Sequence, residues 1–378
     1  MSAPAASTQL TALMAAAEPY ELSDSKDALF LGAMREAVRH HAAASPFYQA
    51  LCARHGFSPE ALVVPADLAQ VPWLFVNTLK HHELLSVAHD DVKLTLTSSG
   101  TTGQKSQIFF DEGSLARGLA TVDRCFEAMG MVQRDQPVNY LIFAHDPAHA
   151  STRGTSYTDH YMTGFTAVQA CWYALRWNQE AQDWAFDVAQ TNARLEAYAE
   201  EGLPVRIIGF PAFLHRLLAW RREQGLPPLA LGPASWVLTG GGWKKNEQEA
   251  IPKQVFRAEV AAALGIPEAN QRDGYGLVEH GVPYLECAAH RFHVSHFARA
   301  IVRDVETLAP LPDGEAGFLN LLTPYLLSMP AISLLTSDLA IRRHGCPCGR
   351  NTATIELHGR LGTKKNKGCA IQATQLLS

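Results

Sequence analysis

Apolar residues recur at three- and four-residue spacing in several long stretches of the chain, with short apolar runs between them. The first spacing draws an apolar stripe along a helix, and helices are predicted over residues 27–56, 112–130 and 183–202. Ser45-Pro46 interrupts the first, because proline ends one helix and opens a new turn. Gly130 and Gly202 close the other two, glycine being the residue that most easily takes the left-handed conformation of a helix end. The short apolar runs 138–144, 205–208 and 236–238 read as buried strands of a mixed sheet flanked by helices. From Gly317 the pattern shortens, with strands predicted over 318–322, 332–335, 339–343 and 354–357. The expected fold class is α/β: one large domain over residues 1–360, then a short mobile tail over 361–378 that is polar and basic.

Composition narrows the function classes. Hydrophobic residues make up 47% of 378, enough for a sizeable core. Lys and Arg number 32 against 37 Asp and Glu, a formal charge of -5, which offers no surface for nucleic acid and no polybasic anchor. The longest uncharged stretch, 318–337, contains Asn320, Pro324 and Pro330 and is read as short buried strands, so no membrane span is expected. No basic region precedes the Ala-rich N-terminus and Glu18 interrupts it, so no signal peptide is expected and the protein is placed in the cytoplasm. Seven cysteines, two of them in a tight Cys346-Pro347-Cys348, favour metal ligation or thiol chemistry over a disulfide framework.

The most specific motif is Thr97-Ser98-Ser99-Gly100-Thr101-Thr102-Gly103-Gln104-Lys105, after a strand-like run over 92–96. Its glycines let the backbone bend tightly and approach a ligand, while its hydroxyls, backbone N–H groups and the Lys105 ammonium can surround polyphosphate oxygens. It lacks the glycine spacing and Gly-Lys-Ser/Thr ending of a Walker A loop. The segment resembles the phosphate loop of the adenylate-forming superfamily, and further motifs come in the order that superfamily requires. Tyr275-Gly276-Leu277-Val278-Glu279 is similar to its Tyr-Gly-x-Thr-Glu motif, with Val278 in place of threonine. Thr336-Ser337-Asp338 matches Thr-Gly-Asp, and Gly359-Arg360 the Gly-Arg that ends the large domain. The resemblance implies ATP and Mg2+ as cofactors, Tyr275 against the adenine, Glu279 on Mg2+ and Asp338 on the ribose hydroxyls. A carboxylate attacking an α-phosphate needs charge neutralised on both reactants, which suits a metal-holding Glu and a donor-rich loop.

Gly240-Gly241-Gly242-Trp243-Lys244 comes after a strand, and glycines there permit a flat ring to approach the backbone. Together with Ser45-Pro46-Phe47-Tyr48 and Gly209-Phe210-Pro211-Ala212-Phe213-Leu214, it resembles the LuxE family of acyl-protein synthetases over nearly the whole chain. The resemblance implies activation of a fatty acid by ATP, transfer of the acyl group to a cysteine of the enzyme, and delivery to an acyl-protein reductase. It also implies the adenylate-forming N-terminal domain without the full small C-terminal domain, since the chain runs only to Ser378. Past Arg360 stands Lys364-Lys365-Asn366-Lys367-Gly368-Cys369-Ala370. Adjacent ammonium groups favour a thiolate, and the family carries its acyl group on a tail cysteine, so Cys369 is the expected nucleophile. The sequence does not choose which of the three lysines replaces the missing small-domain lysine.

Cys287, with His290, His293 and His296 downstream, and Cys346-Pro347-Cys348-Gly349-Arg350 offer thiolate and imidazole ligands of the kind that make closed zinc sites. Phenylacetate-CoA-ligase-like relatives show a similar pattern, which implies Cys287, His293, Cys346 and Cys348 as the ligands of a structural zinc. His280 is given no role, and Trp172, Tyr173 and Trp177 are read as core or acyl-tunnel lining. Two alternatives stay open: a ligase passing the acyl group to coenzyme A, a carrier protein or an amine, and a non-catalytic nucleotide-binding subunit of a reductase complex.

Overall fold

A computed structural model describes residues 8–97, 106–146, 161–180 and 182–360. The chain divides into two compact units, Met1–Ala128 with Gly276–Tyr284 and Arg291–Ser378, and Met129–Tyr275 with Leu285–His290. Among the described residues no helix is long and apolar enough to cross a membrane.

In the first unit the predicted opening helix is two: Asp24–Ala44, capped by the Ser23 side chain, and Pro46–Arg54. Ser45 ends one and caps the next, with Pro46 in the first turn where its missing N–H is no loss. The short strand β1 (Leu74–Phe75) precedes a hairpin of β2 (Val92–Thr97) and β3 (Gln107–Asp111), which pairs Thr97 with Gln107. The helix Glu112–Ala128 comes next. After β10 (Tyr284–Glu286), the chain adds to this unit β11 (Phe292–His293), β12 (Arg299–Arg303), β13 (Ala316–Leu322), β14 (Ser333–Arg343) and β15 (Thr354–Arg360). These pair antiparallel in the order β12-β13-β14-β15-β11, and β1 joins β14 in parallel. The strands predicted over 332–335 and 339–343 are therefore one strand. A register shift against β15 between Asp338 and Ala340 explains the break in the apolar pattern, since an irregular residue interrupts the alternation without ending the strand.

The second unit contains β4 (Gln133–His145), β5 (Thr166–Asn178), β6 (Asp183–Phe186), β7 (Val205–Gly209), β8 (Trp236–Gly240) and β9 (Gln271–Tyr275). The order is β6-β5-β4-β7-β8-β9, parallel throughout except for β6. Val138 to Ala144 are all buried, as a strand covered on both faces must be. The helices Val188–Glu201, Pro211–Glu223 and Lys253–Leu264 are the covering layer, and Leu195, Leu214, Leu217 and Val260 pack with Leu141, Ile207 and Val237. The helix predicted over 183–202 is shorter. Asp187 caps Val188–Glu201, while Trp184 and Phe186 pair across strands with Trp177 and Leu175. Trp177 and Trp184 meet edge to face at 5.5 Å, a contact that favours the strand over another helical turn.

A buried histidine links three segments of the first unit. His41 is fully buried on the helix Asp24–Ala44, with Nε2 3.1 Å from the Leu326 carbonyl and Nδ1 2.8 Å from the Ser86 hydroxyl. A carbonyl only accepts, so Nε2 carries the proton and Nδ1 accepts from Ser86. Burial, reinforced by His40, lowers its pKa from 6.5 to about 3. The unfolded chain therefore binds a proton that the native state refuses, and stability falls as pH drops below 6.5 toward about 3. We expect His41→Gln, compared with wild type by urea unfolding between pH about 7 and about 5, to flatten this slope by up to about 1.4 kcal/mol per pH unit.

Candidate functional site

In the second unit the carboxyl ends of β7, β8 and β9 lie side by side, the edge at which open parallel sheets bind ligands. Gly209 ends β7 at φ 126, and a Cβ there would stand 2.6 Å from the Phe143 carbonyl oxygen. Gly240 ends β8 opposite Gly274. Gly241 and Gly242 come next at φ 71 and 67, the left-handed region that glycine enters without strain. Tyr275 ends β9. Of the residues read as nucleotide-binding, Gly240, Gly241, Gly242 and Tyr275 are thus brought to one edge, with no side chain on the β8 turn to block a flat ring.

Beneath that edge lies a charge network with no motif to announce it. Asp273 is placed opposite Thr239 in the β8–β9 register. Its Oδ1 accepts the Thr239 hydroxyl at 3.2 Å and the Gly274 N–H at 3.0 Å, and its Oδ2 accepts Lys253 Nζ at 2.5 Å. Lys253, in the first turn of the helix Lys253–Leu264, also reaches Glu286 Oε1 at 3.2 Å. Glu286 accepts two bonds from Arg257, at 3.1 and 3.0 Å, and the Asp273 N–H at 3.0 Å. Burial pushes the Asp273 carboxyl up, partly offset by Lys253. Burial also opposes ionisation of Glu286, but nearby His290, Lys253 and Arg257 outweigh it and hold the group down at about 2. Burial acts to lower the Lys253 ammonium, and the two carboxylates more than reverse it, so its pKa is raised.

In the first unit Gly276 opens the segment that carries Glu279. Glu279 is 4% exposed, in a turn closed by the His280 and Gly281 N–H groups on the Leu277 carbonyl at 3.0 and 2.8 Å. His280 points inward with Nε2 2.8 Å from the Tyr284 hydroxyl, and burial lowers its pKa to about 3, so it is a neutral core residue. Asp338 and Arg360 are brought together: register partners on β14 and β15, they form a bidentate pair, Nε to Oδ1 at 2.7 Å and Nη2 to Oδ2 at 3.2 Å. The register shift beside Asp338 and the φ of 102 at Gly359 re-aim the two side chains locally.

The four residues read as metal ligands converge. One ligand atom from each of Cys287, His293, Cys346 and Cys348 lies within 4.8 Å of all the others. Two turns present the thiols: the His290 N–H closes one on the Cys287 carbonyl at 2.9 Å, and the Gly349 N–H closes the other on the Cys346 carbonyl at 3.1 Å. Cys348 Sγ stands 3.3 Å from His293 Nε2. Burial, with the charge of Arg350, lowers the His293 pKa to about 4, which keeps the ring in the neutral form a metal needs. Behind it, Nδ1 lies 2.8 Å from the Thr352 hydroxyl, a partner that the motif did not show. Three thiols and one imidazole at this spacing fit a tetrahedral zinc ion. His290 and His296 stand apart from the set.

Ser98, Ser99, Gly100, Thr101, Thr102, Gly103, Lys105 and Cys369 lie outside the described residues, as does the tail over 361–378. Thr97 and Gln107, on either side of that segment, are paired between β2 and β3.

The fold is that of adenylate-forming ligases. A 2-hydroxyisobutyryl-CoA ligase in complex with 2-HIB-AMP superposes with a TM-score of 0.64 at 15% identity, covering 100% of this chain and 77% of that one. The chain belongs to the family described as acyl-protein synthetase, LuxE, which matches residues 3–378, and it is a ligase. It is 27% identical to the long-chain-fatty-acid–luciferin-component ligase of Vibrio harveyi, over 98% of this chain and 94% of that protein. The ligase of the same name from Aliivibrio fischeri is 25% identical, over 91% and 87%. A phenylacetate-coenzyme A ligase of Thermus thermophilus is 26% identical over 84% of this chain and 64% of its own length.

Proposed function

We propose that this ligase activates a long-chain fatty acid with ATP as the acyl-adenylate and then takes the acyl group onto Cys369 as a thioester, for delivery to a partner such as an acyl-protein reductase or carrier protein. The observation that carries this reading is the nearly full-length likeness to two ligases named for long-chain fatty acids. The geometry of the strand ends supports it, with Gly240–Gly242 and Tyr275 on one edge for the purine and Asp338 held in shape by Arg360 for the ribose. In the first step a carboxylate oxygen bonds to the α-phosphorus as the bond to the pyrophosphate oxygen breaks. Ser98 to Gly103 and Lys105 hold the departing phosphates, and Glu279 would hold Mg2+, whose charge offsets theirs. In the second step the Cys369 thiolate attacks the acyl carbon and AMP leaves, with nearby lysine ammonium groups favouring the anion.

Intact mass after incubation with ATP, Mg2+ and long-chain fatty acids tests both steps. A hydroxylamine-sensitive acyl adduct is expected on wild type and none on Cys369→Ser, while both form adenylate. The likeness to coenzyme A ligases supplies one rival. Adenylate without adduct in wild type, with acyl-CoA made when coenzyme A is added, would assign the protein to that class.

Cys287, His293, Cys346 and Cys348 are proposed to hold a structural zinc ion, all four positions being taken by protein ligands. An Nε2 lone pair turned toward a metal requires the proton on Nδ1, and Thr352 is placed to accept it. Metal analysis is expected to find zinc, and Thr352→Val to weaken its retention against a competing chelator by about 10- to 100-fold. Equal retention in the variant would show that Thr352 does not orient the ring.

A further inference from the structure

The adenylation reading leaves the Lys253 network without a task. Side chains alternate along a strand, so Gln271, Asp273 and Tyr275 share one face of β9. Gln271 is fixed by its amide on the Arg257 and Ile266 carbonyls, both at 3.0 Å, and Asp273 is fixed on Lys253 at the start of the helix Lys253–Leu264. Tyr275 is the next position on that face.

Glu286 has no acceptor capacity to spare. Two donors reach each of its oxygens, which fills the roughly four lone-pair sites of a carboxylate. It is 2% exposed, so its role is to hold cations and a backbone N–H in place. Asp273 engages both oxygens, and its Oδ1 joins the last side chain before the β8 glycines, Thr239, to the last backbone N–H before Tyr275, that of Gly274. Lys253 is the piece that joins the two carboxylates. Without its ammonium, two acids would face each other across the Asp273 N–H, and one would have to turn away or take up a proton.

We propose that Lys253 is a positioning residue for the nucleotide: by bridging Asp273 and Glu286 it holds Asp273 Oδ1 on Thr239 and Gly274, and so sets the spacing between the Gly240–Gly242 turn and Tyr275. Lys253 acts through Asp273 and touches no reacting atom. The inference rests on the adenylation reading, because the edge it shapes is the one assigned to the purine.

Direct binding of ATP, AMP and adenosine to full-length wild type and variants, by calorimetry or competition, tests it alongside fatty-acid-dependent exchange of pyrophosphate with ATP. Lys253→Met is expected to weaken all three ligands by a similar factor of about tenfold, the size of one lost charge-assisted hydrogen bond. Lys253→Arg is expected to restore most of the affinity, and the KM for the acid to stay unchanged in each variant. Thr239→Val removes the neutral arm of the same bridge without altering charge, and is expected to raise the Kd for ATP by about threefold. It also provides the answer if Lys253→Met does not fold.

A loss that grows from adenosine to ATP would show that Lys253 acts by its charge on the phosphates, and would overturn the proposal. Unchanged nucleotide affinity in Lys253→Met, or in Thr239→Val where Lys253→Met does not fold, would overturn it while leaving the adenylation reading intact if wild type binds and exchanges. Wild type that binds no ATP would overturn both.

Discussion

Parallel pairing of β4, β7, β8 and β9 constrains most of the second unit. Parallel neighbours cannot be joined by a tight hairpin, so each connection returns through a helix, and both sheet faces are covered. That is why Val138 to Ala144 are buried throughout and why Leu195, Leu217 and Val260 find partners on the sheet. The same constraint sends successive strands in one direction and delivers their ends to a single edge. Gly209, Gly240 and Tyr275 are distant in sequence, yet each occupies the last position of its strand. A backbone edge with glycine at the closest approaches suits a flat ligand, and the parallel topology brings that edge together.

The elements that were legible in the sequence are those with one dominant signal. Proline at position 46, glycine at 202 and the buried runs of β4, β7 and β8 each left a local mark strong enough to locate an element. The misread elements carried two signals at once. Residues 183–186 continue the apolar spacing of the helix Val188–Glu201 backwards, but Trp184 and Phe186 find strand partners that are visible only in three dimensions. The break within β14 resembles a turn in one dimension and is a register shift in two. The candidate site divides in the same way. Cys287, His293, Cys346 and Cys348 come together as the resemblance implied, whereas the pairing of Asp338 with Arg360 was announced by neither motif. Thr352, Lys253 and Glu286 belong to no motif, and only their hydrogen bonds give them a role.

Buried carboxylates in the two units are handled differently, and the difference bears on function. Taking a carboxylate out of water is unfavourable unless donors replace the solvent. Glu286 is met by two cations and a backbone N–H until no acceptor site remains, which makes it a fixed structural charge. Asp338 accepts a bidentate pair from the Arg360 guanidinium, which is half exposed at the end of β15. A guanidinium in that geometry fixes the plane of the carboxylate. Asp273 and Glu286 thus brace the pairing of β8 with β9, while Asp338 on β14 is oriented by the end of β15.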